Sequence, residues 1–252
     1  FQFYGQDEWK ISPTVTLNLG LRYERDTLIW NENRKNDGSF YPAVLPYVDF
    51  SKRGDDNNVS PRLGVAWDVT GDGKTVVRAG YGRLFNTIMN GTPGAEETTL
   101  RQTSISINNP TYPDPYGGLS KEAYGATQPL STTLSILSND MVNPYADTTS
   151  VGFSRQLGAD MAINVDGVNT KSNDFNAGVA INTPKGGVRP IAGWGNITQV
   201  QSLGWQKYRA LLVRLEKRLS SRYQYTLSYT LQKVTDNSFG GTSTGTITDV
   251  YN

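Results

Sequence analysis

From Val15 to Glu24 the chain alternates without a break. Val15, Leu17, Leu19, Leu21 and Tyr23 share one side, and Thr16, Asn18, Gly20, Arg22 and Glu24 share the other. A period of two held over that length is a strand with one apolar and one polar face, because successive side chains of a strand point to opposite sides. The pattern recurs. Leu63, Val65, Trp67 and Val69 oppose Arg62, Gly64, Ala66 and Asp68, and Val77, Ala79, Tyr81 and Phe85 oppose Arg78, Gly80 and Gly82. Near the C-terminus Tyr223, Tyr225, Leu227, Tyr229 and Leu231 alternate with Gln224, Thr226, Ser228, Thr230 and Gln232.

The connections have a rhythm of their own. Strand pairs over about 2–25, 60–85, 145–169 and 206–234 are each closed by a tight turn: Ser12-Pro13-Thr14, Thr70-Gly71-Asp72-Gly73, Leu157-Gly158-Ala159-Asp160 and Ser220-Ser221. Between them lie three long polar segments, 27–58, 86–144 and 170–205, with a small strand expected near Gln102–Ile107. The Gly/Thr/Ser-rich tail reads as the start of another long loop. Proline and glycine punctuate the short turns because one fixes φ and the other supplies positive φ. Alternating short and long connections between strands of about ten residues are what a transmembrane β-barrel needs. The expected fold is all-β, an antiparallel transmembrane barrel segment of about eight strands, with short periplasmic turns and long extracellular loops.

Composition narrows the function classes. The 252 residues include no cysteine and no histidine, so thiolate chemistry, disulfides and histidine-based nucleophilic catalysis cannot be assembled from this chain. The net charge of +1 argues against a nucleic-acid binder. Only 37% of residues are hydrophobic and no apolar run is long enough for a membrane helix, but a barrel strand shows lipid only every second residue. Tyr and Trp near strand ends suit the girdles at the headgroups.

Several segments resemble a known family. Tyr4-Gly-Gln-Asp-Glu-Trp9-Lys followed by Thr14-Val-Thr-Leu-Asn-Leu-Gly-Leu-Arg-Tyr-Glu24 resembles a hairpin of TonB-dependent outer-membrane receptors. Ser60-Pro-Arg-Leu-Gly-Val-Ala-Trp67 and Gly71-Asp-Gly-Lys-Thr-Val-Val-Arg78-Ala-Gly-Tyr-Gly82 resemble the next. Asn143-Pro-Tyr145, Arg155-Gln-Leu-Gly158, Tyr208-Arg-Ala-Leu211, Lys217-Arg218 and Leu227-Ser-Tyr-Thr230 are similar to later hairpins of the Oar-like branch. The resemblance implies a wall segment of a barrel of about 22 strands. It also implies a Gram-negative outer membrane and uptake of a large or scarce nutrient past a plug moved by TonB. Neither the plug nor the TonB-contacting segment is visible in this sequence, so both are partners only through a longer protein.

In that picture Arg22, Glu24, Arg62, Asp68, Arg78, Asp166, Arg214 and Glu216 are candidate lumen residues. Leu17, Leu19, Leu21, Tyr225, Leu227 and Tyr229 are candidates to face outer-membrane lipid. Trp194 and Trp205 are candidates to stack on a substrate held by the loops, with packing as the plainer alternative. No enzyme activity and no cofactor are expected. Gly71-Asp72-Gly73-Lys74-Thr75 lacks the first glycine of a phosphate loop, since position 68 is Asp68. Glu96-Glu97 lacks any sign of acid–base spacing. No metal centre is expected; Asp55 and Asp56 are weak calcium candidates without the EF-hand pattern. Two soluble-type alternatives remain open. One is a structural or adhesive β-protein that closes into a small barrel or self-associates through free edges, and the other is a carbohydrate-binding sandwich.

Overall fold

The computed structural model describes residues 1–35, 42–86, 91–101, 107–127, 133–237 and 246–247. Eight long strands form an antiparallel meander, each hydrogen-bonded to the next. They are β1 (Gln2–Ser12), β2 (Val15–Glu24), β3 (Asn58–Asp68), β4 (Thr75–Phe85), β6 (Tyr145–Leu157), β7 (Met161–Ala180), β8 (Ile197–Ser220) and β9 (Tyr223–Asp236). Two short strands, β5 (Leu134–Leu137) and β10 (Thr246–Ile247), add in parallel to the far ends of β8 and β7. The sheet does not close among the described residues: β1 pairs only with β2, and β9 only with β8. Residues 102–106 of the expected small strand lie outside the described residues.

Pairing fixes the two faces. Leu17 stands opposite Trp9 and Val65, Leu19 opposite Leu63, and Leu21 opposite Pro61. Pro61, which has no N–H to give, precedes Arg62, where pairing with β4 begins. Across the sheet Val77 meets Phe153, Phe153 meets Val165, Val165 meets Val213, and Val213 meets Tyr229. The apolar face is therefore continuous, and much of it is open: Leu21, Leu63, Val151, Leu227 and Tyr229 are all more than half exposed.

Two strands exceed the alternating pattern. β7 and β8 run on for 20 and 24 residues, well into the segment expected as a loop. Their extensions pair with each other from Phe175–Gly204 to Ala180–Thr198, past an irregularity at Ser172–Asn176 where Asp174 takes a φ of 63°. Such a bulge scrambles the apolar/polar alternation, so the strand cannot be read from periodicity there.

The tight turns are capped from within. The Asp68 carboxylate accepts from Gly71 N at 3.0 Å and from Gly73 N at 2.8 Å. Asp72 accepts from Thr70 Oγ1 at 2.6 Å and Lys74 N at 3.1 Å, and Lys74 Nζ lies 3.0 Å away. The turn amides are thus filled by the chain's own carboxylates. At the β8–β9 turn Ser221 and Arg222 both have positive φ, the conformation a two-residue hairpin loop demands. Lys217, nearly buried, bridges this turn to the β6–β7 turn by donating to Asp160 Oδ2 at 2.8 Å and Ser220 O at 3.2 Å.

The Thr70 hydroxyl, then Lys74, hold the Asp72 carboxyl at about 2, below its ordinary 3.8. A depressed folded-state value means that ionised Asp72 stabilises the turn above about 3.8 and that this contribution is lost as pH falls toward about 2. The difference in thermal midpoint between parent and Asp72→Asn is expected to shrink across that window. A gap independent of pH would show that the carboxylate charge is not what holds the turn.

Candidate functional site

The register brings all eight predicted charged residues to the polar face. Arg78 is opposite Ala66 and Gly152, Asp166 is opposite Gly152 and Leu212, and Arg214 is opposite Asn164 and Ser228. Arg78 reaches Asp166 at 3.4 Å and Ser154 Oγ at 3.1 Å, and Ser154 Oγ donates to Asn164 Oδ1 at 2.7 Å. The space for this cluster is left by Gly152, where a Cβ would collide with the Asp166 carboxylate. Arg22 pairs with Glu24 at 2.5 Å and with Gln2 Oε1 at 2.6 Å, and Arg214 pairs with Glu216 at 2.8 Å. Arg62 lines a shallow groove with Gln6, Asn18 and Gly20. Asp68 shares the face by register, and its carboxylate accepts from the turn amides of Gly71 and Gly73. The six apolar candidates, Leu17, Leu19, Leu21, Tyr225, Leu227 and Tyr229, all fall on the opposite face.

The three long connections, expected as separate loops, share one core. Val44, Val48 and Phe50 from the first pack with Leu100, Leu134 and Ile136 from the second and with Ile191, Trp194 and Ile197 from the third. The connections carry local structure of their own: 3₁₀ turns at Pro42–Tyr47 and Phe50–Lys52 and α1 (Gly91–Arg101), which supply core residues, and a largely exposed α2 (Lys121–Thr127). A smaller cluster of Trp30, Leu137 and Met141 adjoins the wall at Val200. Asn182 pins the third connection by donating to Ile191 O, Trp194 O and Gly195 O and accepting from Ile191 N at 2.7 Å.

A buried ion pair lies at the centre of this cap. Arg53 donates to Glu96 through Nη1 at 2.6 Å and Nη2 at 2.9 Å, with both side chains fully buried. Arg53 also donates to Trp30 O and Leu137 O, and Glu96 accepts from Leu137 N at 2.8 Å and Asn31 Nδ2 at 3.0 Å. Each charge is thus hydrogen-bonded on several sides, which is what offsets the cost of removing both from water. Beside it Arg34 reaches Glu97 at 2.8 Å. Glu96-Glu97 is therefore a pair of ion-pair partners. Arg53, missed in the sequence, is joined to Glu96 across 43 positions, a separation without any local signature.

Trp194, 7% exposed, belongs to the cap core, which is the packing alternative and not a ring offered to a substrate. Trp205 is half-buried on β8, with Lys207 Nζ 4.8 Å above its ring. Asp55 is buried, and its Oδ2 accepts from Asn143 N at 2.6 Å. Asp56 is exposed, and its carbonyl accepts from Tyr23 Oη at 2.9 Å.

The family profile described as "Outer membrane beta barrel domain" matches residues 1–252, the whole chain. This chain is an outer-membrane β-barrel domain. Its place is the Gram-negative outer membrane. The barrel chain is similar in fold to the outer membrane transporter YddB of Escherichia coli, at 17% identity and a TM-score of 0.58, over 92% of this chain and 24% of that one. It is also similar to the siderophore receptor PirA of Pseudomonas aeruginosa, at 14% identity and a TM-score of 0.52, over 92% and 34% of the two chains. The RagAB peptide importer in its closed-closed state gives 15% identity and a TM-score of 0.52, over 95% and 22%. This barrel chain thus spans between a fifth and about a third of the length of these structures. No curated protein matches it in sequence.

Replacing Arg53 by Met leaves Glu96 buried and unpaired, and is expected to cost the cap about 3–5 kcal/mol. Amide hydrogen exchange in α1 and β5 should accelerate while exchange in β1–β4 stays unchanged. The double variant Arg53→Met/Glu96→Leu should recover most of the protection. Equal exchange in parent and single variant would mean that the ion pair does not hold the cap.

Proposed function

We propose that this barrel chain is the wall and loop-cap portion of a TonB-dependent receptor of the Oar-like branch, which takes up a large or scarce nutrient. Its polar face lines the lumen, its apolar face meets lipid, and the joined loops form the capture surface. The observation that carries this reading is the separation of the two faces under a preformed cap. Arg22, Arg62, Arg78, Asp166 and Arg214 lie on one side, and a continuous exposed row of Leu, Val and Tyr lies on the other. An apolar surface of that extent is a liability in water and an ordinary wall in a bilayer. The free edges of β1 and β9 suit pairing with further strands of a longer barrel. Transporters, a siderophore receptor and a peptide importer among the fold relatives make iron chelates and peptides the first substrates to try.

Nitroxide labels at Leu19, Leu21, Leu227 and Tyr229 of the full-length protein in bilayers should be reached by oxygen and shielded from a nickel chelate. Labels at Asn18, Gln224 and Ser228 should behave in the opposite way. Leu19→Arg should destabilise insertion by about 2–4 kcal/mol near the midplane, and Asn18→Arg by much less. Water accessibility on both faces would instead support a soluble or self-associating β-protein. For the transport reading, a strain lacking the gene should share with a TonB-deficient strain a growth defect on limiting chelated iron or peptide. A TonB-independent defect would remove the energy-coupled mechanism and leave the barrel assignment standing.

A further inference from the structure

Where the cap meets the wall, several buried oxygens have no donor. Asn58 is 0% exposed and Asn143 is 3% exposed, and the side-chain Oδ1 of each lacks any hydrogen-bond partner. Both belong to the surroundings of Asp55. Asn58 Nδ2 donates to the Asp55 carbonyl at 3.5 Å, which sets this amide group against the Asp55 backbone. Asn143 donates its backbone N–H to Asp55 Oδ2 at 2.6 Å. Asp55 itself is 5% exposed, and no Lys or Arg pairs with it among the described residues.

The register places a second carboxylate beside this segment, since Tyr145, two residues after Asn143, pairs with Asn173, the neighbour of Asp174. Asp174 sits at the left-handed bulge of β7, just beyond Asn173, the last residue paired with β6. It is therefore in the extension that carries the cap and not in the membrane-crossing part of the strand. A non-glycine residue held at positive φ in a bulge has its side chain re-aimed by the backbone. Asp174 also has no cationic partner among the described residues. Burial raises its carboxyl above the ordinary range, and the charge of Asp55 adds to the rise. Glu24, directly across from Asn58, is already taken by Arg22. Asp55, Asn58, Asn143 and Asp174 thus bring two carboxylates and two unpartnered amide oxygens to the junction of cap and wall, and neither carboxylate has an ion-pair partner among the described residues.

We propose that Asp55, Asn58, Asn143 and Asp174 form a binding site for a hard divalent cation, calcium by chemical class, that fastens the loop cap to the barrel wall. Calcium takes six to eight oxygen ligands from carboxylates, amide and backbone carbonyls and water in flexible geometry, and this donor set is all oxygen. The four residues come from the first connection, the start of β3, the segment entering β6 and the β7 bulge. One ion there ties the first and second connections to β3 and β7 of the sheet. Asp56, its neighbour in sequence, takes no part, since it is exposed and contributes only a carbonyl to Tyr23.

The test uses the full-length outer-membrane protein that carries this chain, purified in detergent and stripped with a chelator. Terbium luminescence and calcium titration should show saturable binding. Added calcium should slow amide exchange at 134–143 and raise the thermal midpoint, and magnesium should do so less. Asp55→Asn and Asp174→Asn should each weaken binding about tenfold or more. Asp56→Asn should bind like the parent. Because Asp55→Asn also alters a buried hydrogen bond, Asn58→Asp supplies an opposite arm: an added carboxylate should tighten calcium binding in a cap that is less protected without the ion. Exchange and melting unaffected by calcium would overturn the proposal and leave the pocket to water. Binding that survives both Asp55→Asn and Asp174→Asn would place the cation elsewhere and overturn it equally.

Discussion

Hydrocarbon offers a backbone no hydrogen-bond partner, so a chain that crosses it in strands must satisfy every N–H and C=O from its neighbours. That requirement fixes the register from β1 to β9, and the register then fixes which side chain stands on which face. A slip of one residue between β2 and β3 would bring Arg62 and Asn58 among the leucines. The outward row through Leu19 continues as Leu63, Tyr81, Thr149, Asn169, Arg209 and Lys233. It starts in the apolar belt and ends among cations. On β9 the belt, at Leu227, Tyr229 and Leu231, lies on the tight-turn side of that row. A belt that stays level must cross the hydrogen-bonding direction at an angle, so the strands are tilted, as a barrel wall of constant height demands.

The cap obeys a different rule. Beyond the short pairing of β5 with β8 it is held by side chains, with a charge pair excluded from water at its centre. An apolar replacement could match the stability of such a pair, but it would not discriminate among wrong packings of three irregular loops so sharply. The fork of Arg53 must find Glu96, Trp30 O and Leu137 O together, and Glu96 must find Asn31 and Leu137 N. An arrangement of the first two connections that misplaces any of these partners leaves a buried charge or polar group unsatisfied.

The wall was legible because its physics repeats every two residues. Alternation through Leu17–Leu21 and Tyr225–Tyr229 placed the strands, and it sorted the charged candidates onto one face before any pairing was known. The cap was not legible, for three separate reasons. Arg53 and Glu96 are joined by a contact with no local pattern. Asp174 sits in a bulge that breaks the period the reading relied on, so β7 ended too early. Trp194 looks the same in sequence whether its ring is offered to a ligand or buried among Val48, Phe50 and Ile197. Asp68 shows a fourth limit. Its parity is right for the polar face, yet two turn amides within reach claim its carboxylate.

The extensions of β7 and β8 connect the two regimes. They carry the ladder beyond the eight-strand meander and offer fresh edges, to which β5 and β10 attach in parallel. β5 belongs to the connection between β4 and β6, yet it pairs with β8, two strands past β6 in the sheet. The second loop is thereby drawn sideways over its neighbours and cannot swing as a free tether between its own strands. Its ordering entropy is met during folding by backbone pairing, by a shared apolar core and by the Arg53–Glu96 pair. A surface ordered in advance loses less freedom when a ligand arrives than three separate loops of the same composition would. If the cap is the capture surface proposed above, recognition on this face depends on how the loops are joined at least as much as on which residues each one exposes.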